Sequence, residues 1–220
     1  MPASAAEGLR LSNRLSRRAT TRTGRVCKRV LDICGSALLL VCLSPLIFAL
    51  SLLIKLQDGG AVFHRRRVVG PRGEFDAFKL RSMRADADQI LQQNPELRRE
   101  FEVNYKLKND PRVTRIGVFI RKGSLDELPQ LWNVLKGQMS LVGPRMIVPA
   151  ELEKFGEARW IFDVMKPGLT GYWQVEGRQQ VSYDERVAME LYYAQHWSLW
   201  LDVRIILKTP LRVLRGAGAY

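Results

Sequence analysis

From Ile33 to Ile54 the chain runs for 22 residues without one charged side chain, and this limits its fold more than any other feature. As a single helix at ~1.5 Å per residue the run reaches ~33 Å, enough to span a hydrocarbon core. Ser44-Pro45 stands at its centre. A proline inside a helix forfeits a backbone hydrogen bond and crowds the preceding turn at ~3 kcal/mol, and a neighbouring serine hydroxyl can satisfy a carbonyl so freed. A bend is expected there. Arg10, Arg14, Arg17, Arg18, Arg22, Arg25, Lys28 and Arg29 precede the run, and Lys55, Arg65, Arg66, Arg67 and Arg72 follow it. The positive-inside preference therefore pulls both ends to the cytoplasmic face. Two readings stand on these residues: a helix that enters one leaflet and returns, and a kinked single span. In either, Asp32 at the mouth of the run is expected near the headgroups.

A chain of 220 residues, 46% hydrophobic, can bury one core or set a modest domain beside a membrane segment. The expected organisation is a disordered basic arm over 1–25, a membrane helix over 26–57 and a compact domain over 58–220. The formal charge of +13, from 35 Lys and Arg against 22 Asp and Glu, calls for an anionic partner such as nucleic acid, a lipid surface or a phosphorylated substrate. Cys27, Cys34 and Cys42 are odd in number and cluster at the apolar run, which argues against a disulfide framework. His64 and His196 are isolated, which argues against a Cys/His zinc centre. The run also begins too late, behind too long a basic flank, for an ordinary signal peptide.

Beyond the run, AVFHRRR and EFDAFKL alternate as two short strands about a Gly-Pro turn, a hairpin with Lys79 and Arg81 at its exit. The polar stretch that follows reads as helix interrupted at Asn94-Pro95, and its DAD triplet admits a metal reading beside the commoner one of acids at a helix start. At the C-terminus, apolar residues recur at helical spacing beside Arg204, Lys208, Arg212 and Arg215, with Trp197 and Trp200 nearby. That pattern suits a helix lying in a membrane interface, and equally an amphipathic core helix. The fold class expected is α+β: a mainly helical compact domain with a short β-hairpin, on a membrane helix broken at Ser44-Pro45.

The densest stretch sets Arg112, Arg115, Arg121, Lys122 and Arg145 around one acidic pair, Asp126-Glu127. Ser124-Leu125-Asp126-Glu127 has the form of a capping box, in which the serine caps a helix and the acid three residues on reaches back. Pro129 complicates it, because a proline as fifth helical residue costs an internal bond. Carboxylates at a helix start among arginines are expected to be ionised, with lowered pKa. An ionised Asp beside phosphate-binding cations is a nucleophile suited to phosphorus. Capping and catalysis both remain open on the residues alone.

The blocks KRVLDI, LSPLI, VFHRR, AFKLRSM, DPRVTRIGVFIRKGSLDELPQLWNVLKGQMSLVGPR, KPGLTGYWQVEGR and LYYAQHWSLWLDVRIILKT, in this order from about Lys28 onward, resemble the bacterial sugar transferases. These are monotopic phosphoglycosyl transferases that start glycan assembly on undecaprenyl phosphate. The resemblance implies a re-entrant helix broken at Ser44-Pro45, with the domain and both ends on the cytoplasmic face of the bacterial inner membrane. It implies transfer of a sugar 1-phosphate from a UDP-sugar to the polyprenyl phosphate, with release of UMP and a need for Mg2+. Asp126 would be the nucleophile and Glu127 its partner and magnesium contact. Lys79, Arg81, Arg112, Arg121, Arg145 and Arg178 fall within matching blocks and would meet phosphates, with internal salt bridges claiming one or two of them. The implied partners are the UDP-sugar, undecaprenyl phosphate and membrane lipids, with other glycan-assembly enzymes or a second copy beside them, and no nucleic acid. Met146 where a second proline is usual, a varied and slightly shorter hairpin, and Glu190 for a common Asp depart from the family pattern. The extra membrane helices of larger relatives are not seen ahead of the domain, which suggests a minimal catalytic unit. Two other readings are a membrane-tethered basic nucleic-acid-binding protein, though no helix-turn-helix, zinc or RNA-recognition signature supports it, and a membrane scaffold in which Ser124 to Glu127 only cap a helix.

Overall fold

A computed structural model describes Leu15 and residues 21–104, 107, 110–177 and 181–214. Helix α1, Arg22–Asp58, begins where the Thr21 side chain accepts the Gly24 N–H at 3.0 Å, and ends at Gly59, whose left-handed backbone (φ 69°) lets its N–H reach the Lys55 carbonyl. The helix thus starts four residues before the expected boundary. The rest of the basic arm, Leu15 and Thr21 apart, lies outside the described residues.

The expected break at Ser44-Pro45 is not seen: α1 runs as one helix through Pro45, which only forfeits a ladder bond. The carbonyl left without its donor is that of Val41, and the Ser44 hydroxyl donates to it at 2.9 Å. Only Asp32, Ser36, Leu50 and Ile54 of α1 are buried. Near the N-terminal end, Lys28 Nζ reaches Asp202 (2.6 Å) and the Val142 carbonyl, while Arg29 donates to the Val134 and Leu135 carbonyls. Asp32 does not face headgroups: it is 2% exposed and accepts from the Ser140 hydroxyl and the Leu141 N–H, both at 2.9 Å. Near the other end, Leu50 and Ile54 pack with Leu80 and Ile120. Between these two anchorages Leu38, Val41 and Phe48 stand exposed.

The hairpin is formed by β1 (Phe63–Gly70) and β2 (Gly73–Leu80), antiparallel, with His64 opposite Lys79 and Val68 opposite Phe75. Helices α2 (Ala87–Gln93) and α3 (Pro95–Asn104) follow, separated at Asn94-Pro95 as the proline requires. Asp86 of the DAD triplet is chelated by Arg84 at 2.9 Å through both oxygens, a local ion pair rather than part of a metal centre. Next come α4 (Arg115–Lys122), a 3-10 turn at Leu125–Glu127 and α5 (Gln130–Lys136). A two-stranded parallel sheet pairs β3 (Ser140–Val142) with β4 (Gly168–Thr170). Between its strands run a kinked 3-10 segment, Pro149–Trp160, and α6, Ile161–Val164. Helices α7 (Tyr172–Glu176), α8 (Tyr183–His196) and α9 (Leu199–Leu214) complete the order.

One core, with Leu131, Val134, Phe162 and Tyr193 at its centre, joins the hairpin, both strands of the parallel sheet and helices α5 to α9. Each such side chain contributes ~1.5–3 kcal/mol by leaving water. Helix α9 has two apolar sides. Asp202 and Ile205 are buried against the domain, whereas Trp200, Leu207 and Leu211 point outward. Core packing and an exposed apolar face therefore coexist on one helix.

Candidate active site

The acidic pair does not form a capping box. Ser124 has a left-handed backbone (φ 51°, ψ 22°) and its side chain caps nothing. Pro129 supplies the reason. It occupies the position just before α5, where its missing N–H has no partner to lose, so the helix starts after the acids and leaves them in the tighter 3-10 turn. Asp126 and Glu127 are thereby free of the helix end and face the exit of β2.

Three elements bring cations to them. Lys79, near the end of β2, places Nζ 2.7 Å from Glu127 Oε1 and 3.8 Å from Asp126 Oδ2. Arg121 comes from the last turn of α4, with its Nε donating to Ser82 Oγ at 2.7 Å. Gly117 sets how closely that helix approaches, because a side chain there would begin 1.9 Å from the Ser82 carbonyl oxygen. Arg145 follows β3. Its backbone N–H donates to Glu190 Oε1 at 2.8 Å, and its guanidinium lies 5.7 Å from the centre of the Trp173 ring.

These surroundings separate the two acids. Burial pushes the Asp126 carboxyl up; the Lys79 charge opposes this, the negative Glu127 adds to it, and Arg121 opposes it. Burial also acts to raise Glu127, but Lys79, Arg145 and Arg66 together outweigh it and hold that carboxyl below its ordinary value. The lowered pKa expected of both acids thus holds for Glu127 and fails for Asp126. Lys79 is hydrogen-bonded to the former and stands beyond hydrogen-bond reach of the latter. Neighbouring acids driven apart in this way are a mark of functional sites.

Two of the predicted phosphate contacts are committed elsewhere. Arg112, 3% exposed, grips Asp110 through two bonds, Nε to Oδ1 at 2.8 Å and Nη2 to Oδ2 at 2.7 Å, and stacks over Phe101. Arg81 is ion-paired with Asp58 and ties the end of α1 to the end of β2. Both act as struts, not as open phosphate binders. Arg178 lies outside the described residues. Lys79, Arg121 and Arg145 are the predicted residues brought to the acids.

Arg66 was not predicted. It lies on the face of β1 shared with His64 and Lys79, and its charge acts on Glu127, Arg121 and His64. In the run FHRRR only the strand register tells Arg66 from Arg65 and Arg67, which turn toward Phe78 and toward Glu74 and Asp76. Glu190 is the second omission as a site residue. It is fully buried, its carboxyl is pushed up to about 7 by burial, and it holds the backbone of Arg145. Arg186, one turn earlier on α8, has buried Nε and Nη2 atoms without hydrogen-bond partners and lies over Trp173 and Tyr183.

No group of three or more His, Cys, Asp or Glu side chains is gathered for a metal ion among the described residues. Mg2+ is commonly held by one or two carboxylates together with substrate phosphates and water. Glu127 and Asp126, adjacent and oxygen-bearing, fit that partial role.

The bacterial sugar transferase family model matches residues 23–216. The chain is 45% identical over 218 residues to a UDP-galactose-lipid carrier transferase of Erwinia amylovora, covering 96% of this chain and 44% of that protein. It is 46% identical over 217 residues to an undecaprenyl-phosphate galactose phosphotransferase of Salmonella typhimurium, again 96% of this chain and 44% of the other. To the exopolysaccharide production protein ExoY of Rhizobium meliloti it is 43% identical over 202 residues, 90% of this chain and 89% of that one. The chain thus spans less than half the length of the first two relatives. A match over nearly all of its residues, together with the acidic turn and its converging cations, establishes that the chain belongs to the bacterial sugar transferase family.

Proposed function

We propose that the chain is a phosphoglycosyl transferase that moves a sugar 1-phosphate from a UDP-sugar to undecaprenyl phosphate through an aspartyl intermediate. The observation that carries this reading is the uncapped, buried Asp126 beside an ionised Glu127, with Lys79, Arg66, Arg121 and Arg145 converging on the turn. An Oδ atom of Asp126 attacks the sugar-bearing phosphorus, and the bond from that phosphorus to the bridging oxygen breaks. UMP leaves with the electron pair. An oxygen of polyprenyl phosphate then attacks the same phosphorus and frees the carboxylate, giving the polyprenyl-diphosphate sugar. A raised pKa makes Asp126 a stronger nucleophile once it is ionised, and fixed cations stabilise charge on the phosphoryl oxygens without reorganising. Mg2+, held through Glu127 and the diphosphate, would supply further charge neutralisation.

Both ends of α1 rest on one domain, through Lys28, Arg29 and Asp32 at one end and Leu50 and Ile54 at the other. A helix so tied cannot place its ends on opposite sides of a bilayer, which supports the re-entrant reading over the spanning one. The basic residues on both flanks favour the cytoplasmic face of the inner membrane for both ends. Reporters fused to the two ends should both read as cytoplasmic; a periplasmic N-terminus in the unmodified protein would refute the topology.

The relatives' names carry galactose, and a further relative from Xanthomonas campestris is named for glucose-1-phosphate transfer. UDP-galactose and UDP-glucose therefore head the panel for a UMP-release assay with undecaprenyl phosphate and Mg2+. Under turnover, mass spectrometry should find a hexose phosphate on the peptide bearing Asp126. An adduct of undiminished yield in Asp126→Asn would remove that residue from the role.

A further inference from the structure

At the far end of the hairpin from Lys79 lies a cavity of about 270 Å³, bounded by the Gly70–Phe75 turn, Gly137, Gln138 and the side chains of Lys136 and Lys166. Lys79 and Gly73 are six residues apart on β2, so this cavity is ~20 Å from the acidic turn and is no part of it.

Its charge is one-sided. Arg72 and Lys166 line it, and no salt bridge engages either one among the described residues. The one acid in the wall, Glu74, is taken up by Arg67 at 3.1 Å. Behind the cavity Arg29 adds a further cation: a side chain begun on Gly137 would lie 3.4 Å from Arg29 Nη2 and 3.6 Å from Lys166 Nζ. Gly137 is left-handed (φ 80°), as the end of α5 requires, so the space before these two cations stays open. The carbonyls at the end of α5 would repel an anion, but Arg29 already occupies those of Val134 and Leu135 at 2.7 Å. Burial and the charges of Arg29, Arg72 and Lys28 press the Lys166 ammonium down, with Asp32 opposing. That strained cation gains from a bound anion.

The height of the site relative to the membrane identifies the anion. Arg29 precedes Ile33, the first residue of the uncharged run, by four residues of helix, or ~6 Å along the axis. If α1 is embedded as proposed above, the cavity opens at the level of lipid phosphates, where basic pockets collect acidic headgroups. We propose that the cavity formed by Arg72, Lys166 and Gly137, with Arg29 behind it, binds the phosphate of an anionic phospholipid headgroup and so fixes the height and tilt of the domain on the bilayer.

The test uses the full chain in mild detergent, titrated with phosphatidylglycerol or phosphatidylcholine and followed by native mass spectrometry. Phosphatidylglycerol should bind several-fold more tightly than phosphatidylcholine. Arg72→Gln with Lys166→Met should weaken it about 30-fold, as expected for two interfacial cations. Arg115→Gln with Lys122→Gln, two exposed cations of α4, should leave it unchanged, and Arg72→Gln alone, on an exposed turn, should give an intermediate loss in a protein of unchanged unfolding temperature. Equal phosphatidylglycerol binding by the unmodified chain and the Arg72 and Lys166 variants would overturn the proposal, as would no preference over phosphatidylcholine. Inorganic phosphate in place of lipid should bind only weakly; binding as tight as the lipid's would make the ligand a soluble phosphate and overturn the lipid assignment. UMP release from a UDP-sugar is read on the same samples, so failure of the transferase reading and failure of lipid binding are separate results.

Discussion

Two short stretches of the chain are nearly the same, Ser124-Leu-Asp-Glu127 and Ser182-Tyr-Asp-Glu185, and they fold in opposite ways. At the second the backbone of Ser182 is extended, its hydroxyl accepts the Glu185 N–H at 3.2 Å, and Glu185 Oε2 accepts the Ser182 N–H at 2.8 Å. Every group there serves the start of α8, and Glu185 is exposed. At the first no such bond forms, Asp126 is buried and Glu127 turns to Lys79. Five residues after the serine stands Val187 in one case and Pro129 in the other. The proline denies the helix its early start, and the acids it would have used for capping become available for chemistry. Nearly the same local sequence is thus made to cap a helix or to stand free of one by a single residue outside the motif and by the burial around it.

The largest effect expected from this contrast is on turnover. Asp126→Asn should lower UMP release by at least about 1,000-fold, the order lost when a nucleophile is removed. Asp184→Asn, at the matching position of the exposed motif, should change it less than twofold. Comparable losses from both would mean that Asp126 serves the fold. Next in size is the pair of glutamates. Glu127→Gln leaves Lys79, 14% exposed, without its closest partner, and should cost up to about 3 kcal/mol of stability, partly recovered through Asp126 at 3.8 Å. Glu185→Gln can keep the capping box, and its unfolding temperature should stay close to that of the unmodified protein.

The pH dependence should also differ between the motifs. Asp126 binds its proton more tightly folded than unfolded, so its stabilising contribution is present below the ordinary value of 3.8 and is lost as pH rises through its raised native pKa. Asp126→Asn should therefore melt no lower than the unmodified protein at pH 7, and any advantage should fade in acid. Glu185 is shifted down, chiefly by its bond to the Ser182 backbone. Its contribution is present above the ordinary 4.5 and is lost as pH falls through the lowered native value. For activity, Asp126 must be ionised to attack, so UMP release should decline with falling pH already above 3.8. Thermal scans and rate profiles from about pH 2.5 to 8 check both signs; a rate profile that declines only below 3.8 would contradict the burial assigned to Asp126.

Much of this was legible in the sequence, for reasons specific to each element. The hairpin followed from alternation around Gly-Pro, the α2 and α3 boundary from Asn94-Pro95, and the role of Ser44 beside Pro45 from helix hydrogen-bond arithmetic. Pro129 already spoke against a capping box at Ser124. What a linear reading could not supply was which cations are already claimed, whether by a near neighbour or by a distant one. Arg112 and Arg81 look like Lys79 and Arg121 in sequence, yet Asp110 and Asp58 claim the first two and leave the others to the acidic turn. The burial that raises Asp126 instead of lowering it arises from packing of α4 and β2 around the turn, and Asp32 left the expected headgroup zone because β3 offered it two donors.

The smallest effect separates the two serines themselves. Ser182→Ala removes a hydroxyl that accepts a first-turn N–H and should destabilise the protein by about 1 kcal/mol, the usual cost of losing a cap. Ser124→Ala removes no cap bond and keeps a side chain on a left-handed backbone, so its unfolding free energy should move by a few tenths of that. Ser124→Gly relieves the left-handed penalty of about 1 kcal/mol but adds chain entropy of similar size to the unfolded state, so the two should nearly cancel. Denaturant melts of the three variants read these differences directly. A loss at Ser124→Ala as large as that at Ser182→Ala would show that the first serine caps after all, and would return Asp126 and Glu127 to the service of a helix end.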